Sequence, residues 1–259
     1  FERTPSGKSE LLVAAVDGAV ITGQLRITKA AGLNVIGITV VPVALGYAFG
    51  AEIAPAGKVI SLIYMGRRTT DISVFKDGQL RFCRQISVGG ENLTDALVGV
   101  ITTAKGTIEL DRKGAEEYKK NTGVTAPEIQ PLARPFLELM EAEIHRSFDF
   151  YKTQYGEEPV DIIYLTGGSS RLPGFPEYLS SQLGIPVETP APFGAVQISS
   201  TLKGRDILER ESFYMSAAIG AALSKGEDIN LLPPEIRYRT KFLMAKLTEP
   251  RNMAVIFLI

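Results

Sequence analysis

Between residues 59 and 86 three short apolar runs follow one another with almost nothing between them, at 59–64, 70–75 and 79–86. Strands written this close together are expected to pair. The joint between the second and third, Lys76-Asp77-Gly78, is a hairpin signal, because Asp and Gly accept the positive φ that a tight turn requires. Ahead of them the pattern differs. Residues 11–16 and 35–41 are strand-length apolar runs flanking a helical stretch from Asp17 to about residue 31, a β-α-β arrangement that favours parallel pairing. Together the two patterns predict the α/β class.

Further along, helices are expected at 43–50, at 92–103 behind Gly89 and Gly90, and at 112–120. The longest covers about 130–155. There Leu132, Phe136, Leu139, Met140, Ile144, Phe148 and Tyr151 recur at three- and four-residue steps and predict one buried stripe. A strand at 160–165, a turn-rich loop at 166–174, a helix at 175–183, a short strand at 187–189 and a helix at 213–223 complete the pattern. Residues 229–234 are expected to be extended, because Leu232 and Pro233 each precede a proline.

Composition removes several classes of function. A net charge of -1 lacks the basic footprint of a nucleic-acid binder, so no nucleic-acid partner is expected. The single cysteine, Cys83, excludes an internal disulfide, fits a reducing compartment, and is expected to be a buried structural thiol. The lone His145 has no second His or Cys nearby, so no metal site is predicted. No run reaches the ~20 apolar residues of a membrane span. Residues 253–259 are all apolar, however, and follow Arg237, Arg239, Lys241, Lys246 and Arg251, the order of a cytoplasmic flank leading into a membrane helix. With Phe rather than Met at residue 1, the chain is expected to be a piece of a longer protein, anchored in a membrane after residue 259.

Three constellations carry possible chemistry. Gly66-Arg67-Arg68-Thr69-Thr70 joins two strands and can offer backbone N–H groups, hydroxyls and two guanidinium groups to a phosphate; it also reads as a basic hairpin tip. Thr166 to Gly174 follows a buried strand, where paired glycines let a flat ligand approach the backbone; it also reads as an ordinary strand-to-helix connection. Glu116 and Lys119 share a helix face and can hold ribose hydroxyls, or form a solvated ion pair.

Taken in this order, the three resemble the nucleotide site of the actin, Hsp70 and sugar-kinase superfamily. Within it the stretches Ala30-Ala31-Gly32-Leu33, Thr69-Thr70-Asp71-Ile72-Ser73, Arg84-Gln85-Ile86-Ser87-Val88-Gly89-Gly90, 166–174 and Ala217-Ala218-Ile219-Gly220 are similar to the PilM family of pilus assembly proteins, relatives of the cell-division protein FtsA. The resemblance covers roughly residues 9–225. It implies an actin-like ATPase (ribonuclease H-like) fold, incomplete at the N-terminus. It also implies a possible, partial ATP site. Gly66, Thr69 and Thr70 would lie at the phosphates, Glu116 and Lys119 at the ribose, and Gly167, Gly168 and Ser169 at the adenosine. Ile229-Asn230-Leu231-Leu232-Pro233 separately resembles the cytoplasmic peptide that opens PilN, the membrane partner of PilM proteins. The chain thus looks like a PilM-like domain fused to the start of a PilN-like segment.

These resemblances divide the chain into a first-lobe remnant at 1–54, a second actin-like lobe at 55–225, and a peptide, basic linker and membrane-segment start at 226–259. They imply PilN/PilO-like platform proteins as partners, self-association through 229–233, and a location in the cytoplasm at the inner membrane. Two departures weigh against catalysis. Tyr64 stands where the superfamily usually has a metal-side Asp, and a first phosphate loop is not found before Leu11. The expectation is therefore a non-catalytic scaffold. An ATPase or kinase of the same fold is the alternative, and an FtsA-like filament-forming tether a third.

Overall fold

The computed structural model describes residues 12–156, 158–193, 196, 198–199, 201–224 and 229–237. The basic run beyond Arg237 and the apolar run at 253–259 lie outside them.

The closely written strands form as expected. β1 (Val59–Met65), β2 (Thr70–Lys76) and β3 (Gln79–Ile86) are antiparallel neighbours. Asp77 at φ 51° and Gly78 at φ 76° close the β2–β3 turn. β6 (Ile162–Thr166) joins β1 in parallel and β7 (Val187–Glu188) joins β6, giving the order β3-β2-β1-β6-β7. β1 and β2 are buried along almost their whole length, which is why they read as continuous apolar runs rather than alternating ones.

Each sheet face carries its own core. On one side α5 (Gln130–Tyr155) and α6 (Phe175–Leu183) cover Ile63, Met65, Ile72 and Val74. The buried stripe of α5 runs through Ala133, Phe136, Leu137, Met140, Ile144, Ser147 and Tyr151, so Leu132 and Leu139, expected inside, face out. On the other side α2 (Val41–Ala48) places Leu45 and Ala48 over Ile60, Leu62 and Phe75. α8 (Ser216–Ser224) packs across α2 behind a 3-10 turn at Ser212–Met215.

Four expectations are corrected. Residues 12–16 and 35–40 are not strands; they flank α1 (Gly18–Ala30) as irregular backbone, with Leu12, Val13, Leu33 and Ile36 exposed. A strand needs a paired edge, and among the described residues neither segment joins a ladder. The helix expected at 92–103 stops early, as α3 (Gly90–Ala96). A hairpin follows, β4 (Gly99–Thr103) with β5 (Gly106–Leu110). Val100, Ile101, Thr102 and Thr103 are β-branched and suit a pleated ribbon better than a helix. Arg112–Thr122 is α4, capped by Asp111, and Arg205–Glu211 forms α7, where no helix is expected from the sequence. Cys83 is exposed rather than buried, because it alternates along β3 with Phe82, which takes the core side.

Candidate functional site

The cleft lies at the end of β1 and β6, where both strands run into glycine. Gly66 closes the turn after β1 by donating its N–H to the Thr69 carbonyl at 2.9 Å. Gly90 and Glu91 at the start of α3 donate to the carbonyls of Gly66 and Arg67 at 3.1 and 2.7 Å, which ties this turn to the helix. The loop after β6 folds back over the same strand end: the Ser169 N–H donates to the Met65 carbonyl at 3.3 Å. Between these two loops and α4 opens a cleft of about 610 Å³.

Of the residues expected at the site, Gly66, Glu116, Lys119, Gly168 and Ser169 line this cleft together. Thr69, Thr70 and Gly167 support it from behind. The Thr70 hydroxyl is buried and donates to the Val88 carbonyl at 2.7 Å, so it ties the turn after β1 to the link between β3 and α3. Lys119 is 2% exposed, and its ammonium donates to the Gly90 carbonyl (3.0 Å), Thr94 Oγ1 (2.7 Å) and Glu116 Oε2 (2.5 Å). A lysine has three N–H donors, so these contacts use all of them. Lys119 positions α3 and Glu116, and Glu116 is the group of the pair left to face a ligand hydroxyl.

Burial pulls the Lys119 ammonium below its ordinary range, against the pull of Glu116. Burial pushes Glu116 up, but hydrogen bonds from Lys119 and Thr94 outweigh it and hold the carboxyl below the usual range. Tyr64 lines the cleft beside Gly66 and sits directly across the ladder from Asp71. Burial first, then the Asp71 carboxylate, pushes its phenol above the ordinary value, so it presents a neutral O–H to the cleft.

Several functional side chains carried no signal in sequence. Glu91 accepts from Arg67 (2.7 Å), Arg68 (2.7 Å) and Arg112, and Arg112 also pairs with Asp95 at 2.8 Å. Arg67, Arg112, Lys113, Lys119 and Lys120 stand in the lining with two carboxylates, Glu91 and Glu116, so the lining is net cationic and suits a polyanion. The spacing of Arg112 and Glu116 on one helix face was the available clue. Tyr214 reaches the cleft from the 3-10 turn, far along the chain, and no local pattern marks it.

The arginines hold the Glu91 carboxyl down at about 2; the largest pull is the hydrogen bond from Arg68, then that from Arg67. An unfolded glutamate titrates near ~4.3. A depressed carboxyl stabilises the fold above the unfolded value and loses that contribution as pH falls toward the folded one. Glu91→Gln should therefore unfold at lower urea than wild type at pH 7, and the gap should close between about pH 4.3 and 2. A gap that stays constant down to pH 2.5 would show that the arginines do not act on Glu91.

A family model described as type IV pilus assembly protein PilM matches residues 2–225. Among solved structures, a PilM-PilN type IV pilus biogenesis complex superposes with a TM-score of 0.69 at 26% identity, over 80% of this chain and 58% of that one. The ethanolamine utilization protein EutJ from Carboxydothermus hydrogenoformans superposes at TM-score 0.56 and 22% identity, over 80% of this chain and 62% of that one. MreB 5 of Spiroplasma citri bound to AMPPNP gives 0.56 at 12% identity, over 90% and 68%. These two show the actin-like fold alone. FtsA of Bacillus subtilis (strain 168) is 33% identical over 116 residues, 42% of this chain and 24% of FtsA. The chain thus spans under two thirds of the PilM and FtsA relatives it resembles.

Proposed function

Because the chain belongs to the type IV pilus assembly protein PilM family, we propose that it acts as a scaffold at the cytoplasmic side of the inner-membrane platform of a type IV pilus or related secretion system. It does so by gripping short extended peptides. The observation that carries this reading is the seating of residues 229–232. Asn230 accepts the Ile38 N–H through Oδ1 at 3.2 Å and donates through Nδ2 to the Ile36 carbonyl at 3.3 Å. The Leu231 N–H donates to the Ile38 carbonyl at 2.8 Å, and Leu232 is 4% exposed. The segment thus satisfies three polar groups of the backbone at 36–38, two through the Asn230 side chain and one through the Leu231 N–H. Ile229 and Leu231 face an apolar groove of about 970 Å³.

A surface that accepts its own extended segment is chemically able to accept a like segment from a PilN-type partner, and a PilM relative was solved in complex with PilN. PilN/PilO-like platform proteins are the proposed partners, and self-association follows where 229–233 docks onto a neighbouring copy. The division into a first-lobe remnant, a second lobe and a fused PilN-like start belongs to the same proposal.

The test is peptide competition. A labelled peptide spanning 228–235 should bind the chain truncated after Lys225 and bind the longer chain far more weakly. Asn230→Ala removes two side-chain hydrogen bonds from the peptide to the groove, at Ile36 and Ile38, and one inside the peptide, to Leu232. At ~0.5–1.5 kcal/mol each, it should weaken the peptide about tenfold or more. Wild-type, Asn230→Ala and Leu231→Asp peptides that all bind alike, or none that binds, would sink the reading.

The cationic cleft favours a second component. ATP fits it as a ligand, with adenosine toward Gly167, Gly168 and Ser169, ribose at Glu116, and phosphates toward Gly66, Thr69 and Thr70. When bound, Mg²⁺-ATP supplies a transferable phosphoryl group. Transfer depends on positioned metal and charge, and Tyr64 gives a neutral phenol at the metal side. Phosphate release from Mg²⁺-ATP is therefore expected at background. Turnover that is lost in Thr69→Ala would establish the alternative, a working ATPase.

A further inference from the structure

The cleft has a wall that the nucleotide reading above does not use. Tyr214 stands there, 53% exposed, projecting from the 3-10 turn Ser212–Met215. Its ring lies against the backbone of Gly168 so closely that a Cβ on that glycine would come within 2.7 Å of ring carbon Cε1 and 2.9 Å of Cδ1. Any side chain at residue 168 would push the ring away, so the glycine opens the place the tyrosine fills.

The turn is pinned to the same loop a second time. The Arg171 guanidinium lies 4.5 Å from the centroid of the Phe213 ring and donates to the Arg210 carbonyl at 3.3 Å. The Ser216 hydroxyl donates to the Phe213 carbonyl at 3.2 Å. Loop 167–174 and the tyrosine are thus held as one unit, and the ring is preorganised in the cleft wall.

The lining has two aromatic side chains. Tyr64 lies beside Gly66, next to the arginine-rich turn, and Tyr214 lies beside Gly168. Arg67 and Arg112 gather positive charge at Glu91, beside the turn that begins at Gly66. A ligand with a planar ring and a polyanion can set the polyanion against these guanidinium groups and the ring on Tyr214. We propose that Tyr214 is the base-stacking, specificity-determining residue of the cleft for a nucleoside polyphosphate. This rests on the reading that the cleft takes a nucleotide, and extends it by assigning the group that recognises the base.

The chain contains no tryptophan, so Tyr214→Trp installs a single indole at the site. Its emission should change saturably with ATP and stay flat with inorganic tripolyphosphate, which has no base to stack. By calorimetry Tyr214→Ala should bind ATP about tenfold or more weakly than wild type, since aromatic stacking on a base is worth that much. Tyr214→Phe, which keeps the ring, should bind like wild type, and tripolyphosphate affinity should be the same in all variants. ATP affinity unchanged in Tyr214→Ala overturns the assignment and leaves the nucleotide reading standing. Equal losses for ATP and tripolyphosphate overturn it too, because they mark a general distortion. No ATP binding to the wild-type chain overturns both.

Discussion

Gly220→Ala should unfold this protein at a markedly lower urea concentration, although helix propensity alone predicts a gain. Gly220 lies in the middle of α8, where alanine is favoured over glycine by about 1 kcal/mol. The opposing effect is larger. A Cβ at this position would stand 1.7 Å from the Ala44 carbonyl oxygen and 2.4 Å from its carbonyl carbon. Both atoms are backbone of α2, so no rotamer change relieves the overlap. α8 has to move away from α2, and α2 carries Leu45 and Ala48 into the core over Ile60, Leu62 and Phe75. Overpacking of this kind costs about 1–3 kcal/mol, more when the backbone itself must move. We expect about 3 kcal/mol or more, which lowers Tm by roughly ten degrees in a chain of this size. Gly23→Ala in α1 is the control. Its added Cβ meets nothing within 4 Å, so only the propensity gain of about 1 kcal/mol remains. If the two substitutions shift the urea midpoint in the same direction, α2 and α8 do not approach as closely as described.

That contact shows what a sequence displays and what it conceals. Ala217-Ala218-Ile219-Gly220 was recognisable as a family pattern, but nothing in it says that the glycine faces Ala44, about 175 residues earlier in the chain. Local codes were legible. Asp77-Gly78 announced its hairpin through the backbone angles it tolerates. The long helix declared itself by its period, although the stripe was centred one residue off, so that Leu132 and Leu139 were taken for core. The run 98–103 misled because an apolar stretch after a helix start reads equally as more helix; its β-branched residues were the discriminating sign.

Of the candidate site, the glycine-bearing turns were visible because loops that bend this sharply need particular residues. The charged lining was visible only in part. Glu116 and Lys119 were found by spacing, but whether a lysine reaches a ligand or braces a helix depends on what surrounds its ammonium. Gly90 and Thr94 supply those surroundings from another helix. Glu91 and Tyr214 enter the cleft through tertiary packing, where no period or motif records them.

Gly167→Ala should cost the fold and the cleft together. Gly167 has φ +92°, a conformation that a residue with a side chain adopts only under strain. It also sits on the end of β1, where an added Cβ would lie 2.5 Å from the Met65 carbonyl oxygen and 2.9 Å from the Met65 nitrogen. That carbonyl accepts the Ser169 N–H, and the next residue, Gly66, begins the turn on the other side of the cleft. Relieving the overlap therefore moves both loops. Gly184→Ala separates the two contributions. It too has positive φ, at +65°, but open space around it, so it should show the left-handed penalty alone, about 1–2 kcal/mol. Gly167→Ala adds displacement of buried backbone, another ~1–3 kcal/mol, and should lower Tm by roughly ten degrees. Nucleotide affinity should fall at least tenfold in Gly167→Ala and stay at the wild-type value in Gly184→Ala. Thermal unfolding paired with calorimetry on both variants reads each effect. Equal losses of stability in the two would mean that only the angle matters. Wild-type nucleotide affinity in Gly167→Ala would mean that the loop after β6 is not part of the ligand's wall.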